Sequence, residues 1–348
     1  MSVNVNERSG LADRRPAGDD GGHLLEVRDL FVEFRTRDGV AKVINGVSYH
    51  LDAGETLAVL GESGSGKSVT AQAIMGILDM PPAVIPSGQI LYRGTDLLKL
   101  PEEERRKVRG KQISMIFQDA LSALNPVFPV GWQIGEMLRL REGLSRAQAK
   151  RRAIELMELV KIPAARQRIG DYPHQFSGGM RQRVMIAMSL ALDPAVLIAD
   201  EPTTALDVTV QAQIMDLLGE LRRDLNMAMI LITHDLGVVA DVADRIAVMY
   251  AGRIVEHADV HSLYEAPAHP YTKGLLESIP RLDLKGQRLT TIKGLPPNLM
   301  RIPSGCPFHL RCPYARQECV DVVPAVRSLG GDRTSACHFA QEVIDGRL

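Results

Sequence analysis

From Leu24 to Phe34 the chain alternates apolar and polar residues (Leu-Leu-Glu-Val-Arg-Asp-Leu-Phe-Val-Glu-Phe), the period of a strand with one buried face. Asp38-Gly39 marks a hairpin turn, and Ala41-Lys-Val-Ile-Asn-Gly-Val-Ser-Tyr-His-Leu51 makes the return strand, so an antiparallel pair is expected here. The pattern then changes. Leu57–Leu60, Pro194–Ala199 and Met227–Thr233 are short continuous apolar runs, the mark of strands buried on both faces. Gln89–Tyr92, Ile113–Phe117, Arg245–Tyr250 and Arg253–Glu256 read as further strands. Helical spacing appears at residues 67–78, at about 208–223 and near 236–242, with a charged, exposed helix over Lys99–Arg109. Strands alternating with helices at this spacing predict an α/β fold with a mostly parallel core sheet.

From Asp119 to about Leu190 the pattern is helical, interrupted at Asn125-Pro126, Pro129, Pro163 and Pro173. Within it, residues 145–160 form a helix that Ser145 can cap. Beyond about residue 260 prolines become frequent and all four cysteines of the chain appear, so 260–348 reads as a separate small C-terminal domain.

Lys plus Arg number 41 against 42 Asp plus Glu, a balance without the electrostatic footprint of a nucleic-acid binder. No run approaches the ~18–20 apolar residues needed to span a bilayer. Residues 1–22 are polar, lack the apolar core of a signal peptide and read as a flexible tail. A cytoplasmic location is expected, with any membrane association arising through other subunits.

The chemistry begins at Gly61-Glu-Ser-Gly-Ser-Gly-Lys-Ser68, spaced G-x-x-x-x-G-K-[ST] between a predicted strand and a predicted helix. Glycines let the backbone bend around an anion so that successive N–H groups and the helix N-terminus point at its oxygens. Lys67 can reach the β- and γ-phosphates, and the Ser68 hydroxyl can ligate Mg²⁺. These residues predict a nucleoside triphosphate site, the alternative being a glycine-rich turn with an incidental lysine. Ligands of parallel sheets lie beyond the carboxyl ends of the strands. Gln118, Asp200-Glu201 and His234 all fall at such ends. Asp200 suits Mg²⁺, usually through water, and Glu201 can polarise the water that attacks the γ-phosphate. Ser177-Gly178-Gly179 opens another helix, as an N-cap or as a second phosphate grip.

Gly61–Ser68, Gln118, Ser177-Gly178-Gly179, Asp200-Glu201, Ala205-Leu206-Asp207 and His234 occur in the order and spacing of an ABC-type ATPase cassette, which the chain resembles over about residues 24–257. The resemblance implies a cassette with an antiparallel β subdomain and a helical subdomain at about 119–190, in an ATPase domain of 23–259. It assigns nucleotide contacts to Gly61, Ser63, Gly64, Ser65, Gly66, Lys67, Ser68 and Val69. Mg²⁺ falls to Ser68, Gln118 and Asp200, and catalytic roles to Glu201, His234 and Gln118. Phe34 stands where such cassettes stack an aromatic on adenine; the alternative is a core phenylalanine in an alternating strand. In this family two cassettes sandwich two ATP molecules head to tail. Ser177, Gly178, Gly179 and the D-loop Asp207 then serve the partner's nucleotide. Met180 departs from the glutamine commonest in the signature, which leaves the serine and backbone contacts intact.

Cys306, Cys312, Cys319 and Cys337 are spaced C-x₅-C-x₆-C-x₁₇-C. In a cytoplasmic protein such clustering argues for metal rather than disulfides, although unligated core cysteines are the alternative. Four thiolates can hold Zn²⁺ or a [4Fe–4S] cluster, and the wide gaps fit a cubane better. His269-Pro-Tyr-Thr272, Lys293-Gly-Leu-Pro-Pro297 and Gly305-Cys-Pro-Phe308…Arg311-Cys-Pro313 resemble the C-terminal extension of oligopeptide/dipeptide importer ATPases. That resemblance implies the cluster, a second ATPase subunit that is a different, homologous chain, two membrane permease subunits and an extracytoplasmic substrate-binding protein. It also implies a peripheral place on the cytoplasmic face of a bacterial inner membrane. Nickel, oligosaccharide or opine cargo is the alternative within this importer type. A soluble ABC ATPase of translation or DNA repair fits less well, since only one cassette is present and about a hundred residues separate Ser68 from Ser177.

Overall fold

The computed structural model describes residues 22–119, 123–204, 206–279 and 291–348; the expected tail over 1–22 lies, but for Gly22, outside them. β1 (Leu25–Thr36) and β2 (Gly39–Leu51) pair antiparallel from Leu25↔Leu51 to Thr36↔Gly39, closing the hairpin at Asp38-Gly39. β3 (Thr56–Leu60), buried along its whole length, runs into α1 (Lys67–Met75). That helix stops three residues short of the expected end because Gly76 takes φ +62° and its N–H caps the carbonyl of Ala73. β4 (Ala83–Val84), β5 (Gln89–Tyr92) and β6 (Thr95–Asp96) complete an antiparallel sheet ordered β2-β1-β5-β6, with β4 on β1.

The charged α2 (Glu102–Val108) has no buried residue, as its composition predicts. β7 (Ile113–Ile116) leads into a helical layer. This comprises α3 (Val130–Glu142), α4 (Arg146–Leu159), α5 (Ala165–Arg168) and α6 (Gly178–Ser189). Ser145 caps α4 in a capping box with Gln148. β8 (Val196–Asp200), α7 (Val208–Leu225), β9 (Ala228–Thr233), α8 (Leu236–Val239) and β10 (Arg245–Tyr250) follow. Then come β11 (Arg253–Asp259), α9 (Val260–Glu265) and α10 (Pro270–Glu277). α11 (Gln317–Asp321), β12 (Arg327–Gly330), β13 (Arg333–Ser335) and α12 (Ala340–Ile344) end the chain.

The main sheet is ordered β12-β13-β11-β10-β3-β9-β8-β7. Its strands from β10 to β7 are parallel, and β11, β13 and β12 continue it antiparallel. β3, β8, β9 and β10 are buried throughout, which is why each reads as an unbroken apolar run. One face packs against α3, α4, α6 and α7, the other against α1 and the antiparallel sheet.

Residues beyond 260 do not stand apart as the composition suggests. β13 pairs with β11 through Glu256↔Ser335 and His257↔Thr334, and the Ala336 N–H donates to the Val255 carbonyl at 2.8 Å. Tyr271, Cys306, Phe308 and Cys319 belong to the cassette's own core. The fully buried Glu256 carboxylate accepts the N–H groups of Ala268 (2.7 Å) and His269 (2.9 Å). The segment thus lies on the sheet edge and shares the cassette's core.

Candidate functional site

The turn after β3 places its glycines where a side chain would collide. A Cβ on Gly61 would lie 2.2 Å from the Met249 carbonyl, and one on Gly66 (φ +107°) 2.7 Å from Ile44 Cδ1. The loop thus wraps closely enough to enclose an anion before α1. Lys67 is buried, and its Nζ donates to the carbonyls of Gly61 (2.7 Å) and Glu62 (3.1 Å). Burial pushes its pKa down, opposed by Glu201, Asp200 and Glu62.

Ser68 Oγ donates to Asp200 Oδ1 at 3.0 Å, so a hydroxyl and a carboxylate converge as Mg²⁺ requires. Burial pushes the Asp200 carboxyl up, the Ser68 hydrogen bond pulls it down, and neighbouring Glu201 pushes it up again. A bound divalent ion would favour the ionised form of Asp200.

Glu201 follows β8 with φ +45°, a conformation uncommon for a residue with a side chain. Its Oε2 accepts from Gln118 Nε2 (3.1 Å) and Thr204 Oγ1 (2.9 Å), and His234 Nδ1 lies 3.5 Å away. Two hydrogen bonds thus orient one carboxylate oxygen, one from a distant strand end and one local, with the His234 ring beside it. One cleft is lined by Glu62, Ser63, Gly64, Gly66, Lys67, Ser68, Val69, Gln118, Glu201 and His234, with Val43 and Leu299 on its flank. Asp200 meets it through Ser68, and Gly61 and the buried Ser65 form the loop's inner wall.

Phe34 does not line this cleft; half-buried in β1, it packs on the core between the antiparallel sheet and α1. The flank is formed instead by Val43 and Leu299, which the sequence did not single out. Thr204 was missed as well, since a hydroxyl three residues after a carboxylate has no spacing signature.

Ser177 caps α6, its Oγ accepting the Met180 N–H at 3.4 Å. Ser177 and Gly178 are exposed and lie outside the cleft, while a Cβ on Gly179 would meet Val210 at 2.6 Å. Asp207 caps α7 through Val210 and is also exposed; Ala205 lies outside the described residues. These residues adjoin one another, away from their own chain's phosphate loop.

Cys306, Cys312, Cys319 and Cys337 are all free thiols lining a single cavity, with Phe308, His309 and His338 beside them. Gly305 (φ +64°) lets the Cys306 segment approach the Cys319 carbonyl, which accepts the Cys306 N–H at 2.8 Å. Burial pushes the Cys306 thiol up, that of Cys312 to about 11 and that of Cys337 to about 12.

A family profile described as ABC transporter matches residues 44–204, and one described as Oligopeptide/dipeptide transporter, C-terminal region, matches residues 255–319. The oligopeptide transport ATP-binding protein OppD of Bacillus subtilis is 56% identical over 293 residues, 84% of this chain and 82% of that protein. The chain belongs to the oligopeptide/dipeptide family of ABC transporter ATP-binding proteins. As a member of that family it is an ABC-type ATPase. OppD of Salmonella typhimurium is 52% identical, covering 90% of this chain and 93% of its own. The dipeptide transport ATP-binding protein DppD of B. subtilis is 51% identical, with 90% and 94% covered. Among solved structures, a dimeric bacterial ABC transporter cassette matches with TM-score 0.61 and 25% identity, over 68% of this chain and 98% of that one. A post-hydrolysis dimer of the same cassette bound to ADP and Pi matches equally well. ABC ATPases share the α/β cassette described above. No helix among the described residues is long and apolar enough to cross a membrane.

Proposed function

We propose that this chain is the ATP-hydrolysing subunit of a bacterial importer of di- and oligopeptides. It would act with a second ATPase subunit, two permeases and an extracytoplasmic binding protein, peripheral on the inner membrane's cytoplasmic face. The family and the names of relatives spanning nearly its whole length support the peptide cargo. The observation that carries the chemistry is the Glu201 Oε2 held by Gln118 and Thr204 with His234 beside it. Glu201 takes a proton from water as its oxygen attacks the γ-phosphorus; the bond to the β–γ bridging oxygen breaks, leaving ADP and phosphate. Loop N–H groups from Ser63 to Val69 and the Lys67 ammonium hold the phosphates, with Lys67 leaving its carbonyl partners. Ser68, Asp200 and Gln118 would hold Mg²⁺, which neutralises charge developing on the phosphates. Gln118 and His234 orient Glu201 and the γ-phosphate. Ser177, Gly178, Gly179 and Asp207, outside the cleft of their own chain, serve the nucleotide of a facing cassette.

We infer also that the ATPase domain comprises residues 23–259, and that the thiols of the segment after it hold a [4Fe–4S] cluster, with Zn²⁺ as the alternative. All four line one cavity. The group would staple the proline-rich segment.

Uptake of a labelled tripeptide by a strain lacking this chain, restored by the wild type and not by Glu201→Gln, tests the importer reading. Restored nickel or oligosaccharide uptake with no peptide uptake would overturn the cargo. Purified protein free of both iron and zinc would refute the cluster.

A further inference from the structure

The phosphate loop is held from outside its own strand and helix, through Glu62. The Glu62 carboxylate receives both terminal nitrogens of Arg311, Nη1 at 2.5 Å and Nη2 at 2.9 Å. The Glu62 N–H donates to Tyr271 Oη at 2.8 Å. Its carbonyl accepts from Lys67 Nζ at 3.1 Å and from the Ser65 N–H at 3.2 Å. The outer partners of this one loop residue thus come from the C-terminal segment, and the inner partner is the lysine aimed at the phosphates.

Both outer partners are firmly seated. The Arg311 side chain is 5% exposed, and it also donates to Tyr250 Oη (3.4 Å) and the Lys293 carbonyl (3.1 Å). Tyr271 is fully buried, and Tyr250, Tyr271 and Phe308 pack ring on ring with centroids 4.6–5.4 Å apart. Arg311 directly precedes Cys312, and Phe308 lines the thiol cavity. Leu299, from the same segment, reaches the nucleotide cleft itself, and its carbonyl accepts the Lys42 N–H at 3.0 Å.

We propose that Arg311 and Tyr271 are positioning residues for the triphosphate, so that nucleotide affinity depends on the docking of the cysteine-bearing segment. The inference rests on the ATP-binding reading of the cleft. Two effects act together. The bidentate pair and the Tyr271 hydrogen bond fix Glu62, and with it the carbonyl that Lys67 occupies before it turns to the phosphates. The guanidinium also neutralises a carboxylate that lines the cleft and would otherwise repel an anion. A brace serving the fold alone has the first effect; only a residue that acts on the ligand has the second.

The test is equilibrium binding of ATP, ADP and AMP, without Mg²⁺-driven turnover, to the full chain and its variants. Arg311→Ala is expected to weaken ATP about tenfold or more, the size of losing a charge-assisted pair, and AMP far less. Glu62→Gln placed in the Arg311→Ala chain is expected to recover part of the ATP affinity, because the unpaired charge is gone. Arg311→Lys keeps the charge without the fork and falls between. Tyr271→Phe, which preserves the packed ring, is expected to cost about two- to tenfold for ATP, the worth of one hydrogen bond, and less for AMP, which lacks the phosphates that Lys67 reaches. Equal losses for ATP and AMP in Arg311→Ala, or no recovery in the double variant, would overturn the proposal. So would unchanged binding in Tyr271→Phe and Arg311→Ala. A wild-type chain that binds no ATP would defeat the nucleotide reading instead.

Discussion

Gln118, just beyond the end of β7, donates its side-chain amide to Glu201, just beyond the end of β8, across 83 residues of sequence and 3.1 Å of space. The helical layer follows Gln118 in the chain, its first helix α3 starting at Val130, so the carboxylate assigned to water activation is held by a residue on the path into that layer. Glu201→Gln retains the shape of the site and loses the base. ATP binding is expected to persist while turnover drops at least ~10²-fold. Steady-state ATPase and nucleotide binding measured on the same preparation check this, and wild-type turnover in the variant would refute the role.

Gly66→Ala forces a methyl to within 2.7 Å of Ile44, 2.8 Å of Met249 and 2.9 Å of the Val43 carbonyl, at φ +107°. Strain and overpacking act together, and a loss of about 1–3 kcal/mol is expected along with nucleotide binding. Gly64→Ala has nothing within 4 Å of the added methyl, so its cost comes from φ +78° alone. Denaturant unfolding should order the two variants accordingly.

Ser177→Arg places a bulky charge at an exposed N-cap outside the chain's own cleft. Monomeric binding of ATP should be nearly unchanged, whereas ATP-driven association with a partner cassette and hydrolysis should be lost. Sedimentation with ATP and a hydrolysis-deficient partner distinguishes this from a cis role, which predicts weaker binding by the isolated chain.

Arg245, at the start of β10, grips Glu55 with Nε and Nη2, the latter at 2.9 Å, and both side chains are 11% exposed. Glu55→Gln leaves the guanidinium short of its counter-charge beside His50 and His257. A destabilisation of about 3–5 kcal/mol is expected, as for other broken buried pairs. Chemical denaturation is the readout.

The same cluster makes stability sensitive to acid. Burial pushes the pKa of His257 down, as does the nearby Arg245, against the pull of the Asp332 carbonyl and of Glu55. Burial and Arg245 also depress His50, with His23 in the same sense and Asp52 opposing. A base depressed in the fold stays neutral there, while the unfolded chain takes up the proton below about pH 6.5. Stability is therefore present above that pH and falls as pH drops through it. The melting temperature should decline between pH 7.5 and 5.5, and less steeply in His257→Gln.

Much of this arrangement was legible. β3, β8 and β9 lie between two covered layers, so their letters run apolar without a break and end where the chemistry begins. Gln118, Asp200, Glu201 and His234 were found because parallel topology brings such ends together. The pairing of Glu62 with Arg311 left no trace, since a carboxylate in a loop and an arginine 249 residues later share no period. Phe34 fits both an adenine platform and a core strand, and alternation does not choose between them. Proline content marked a change of texture at about 260, yet composition says nothing about what a segment lies against. The strand Arg333–Ser335 is short and polar, and only its neighbours β11 and β12 make it a strand.

That strand has a practical consequence for anyone who would trim the protein to its motor. Ending the chain at 259 strips β13 from β11 and bares the Glu256–His257 stretch of backbone as an open sheet margin, ready to recruit any extended peptide, including another copy of itself. A minimal cassette cut there would be sticky as well as incomplete, and its behaviour in isolation would misrepresent the parent.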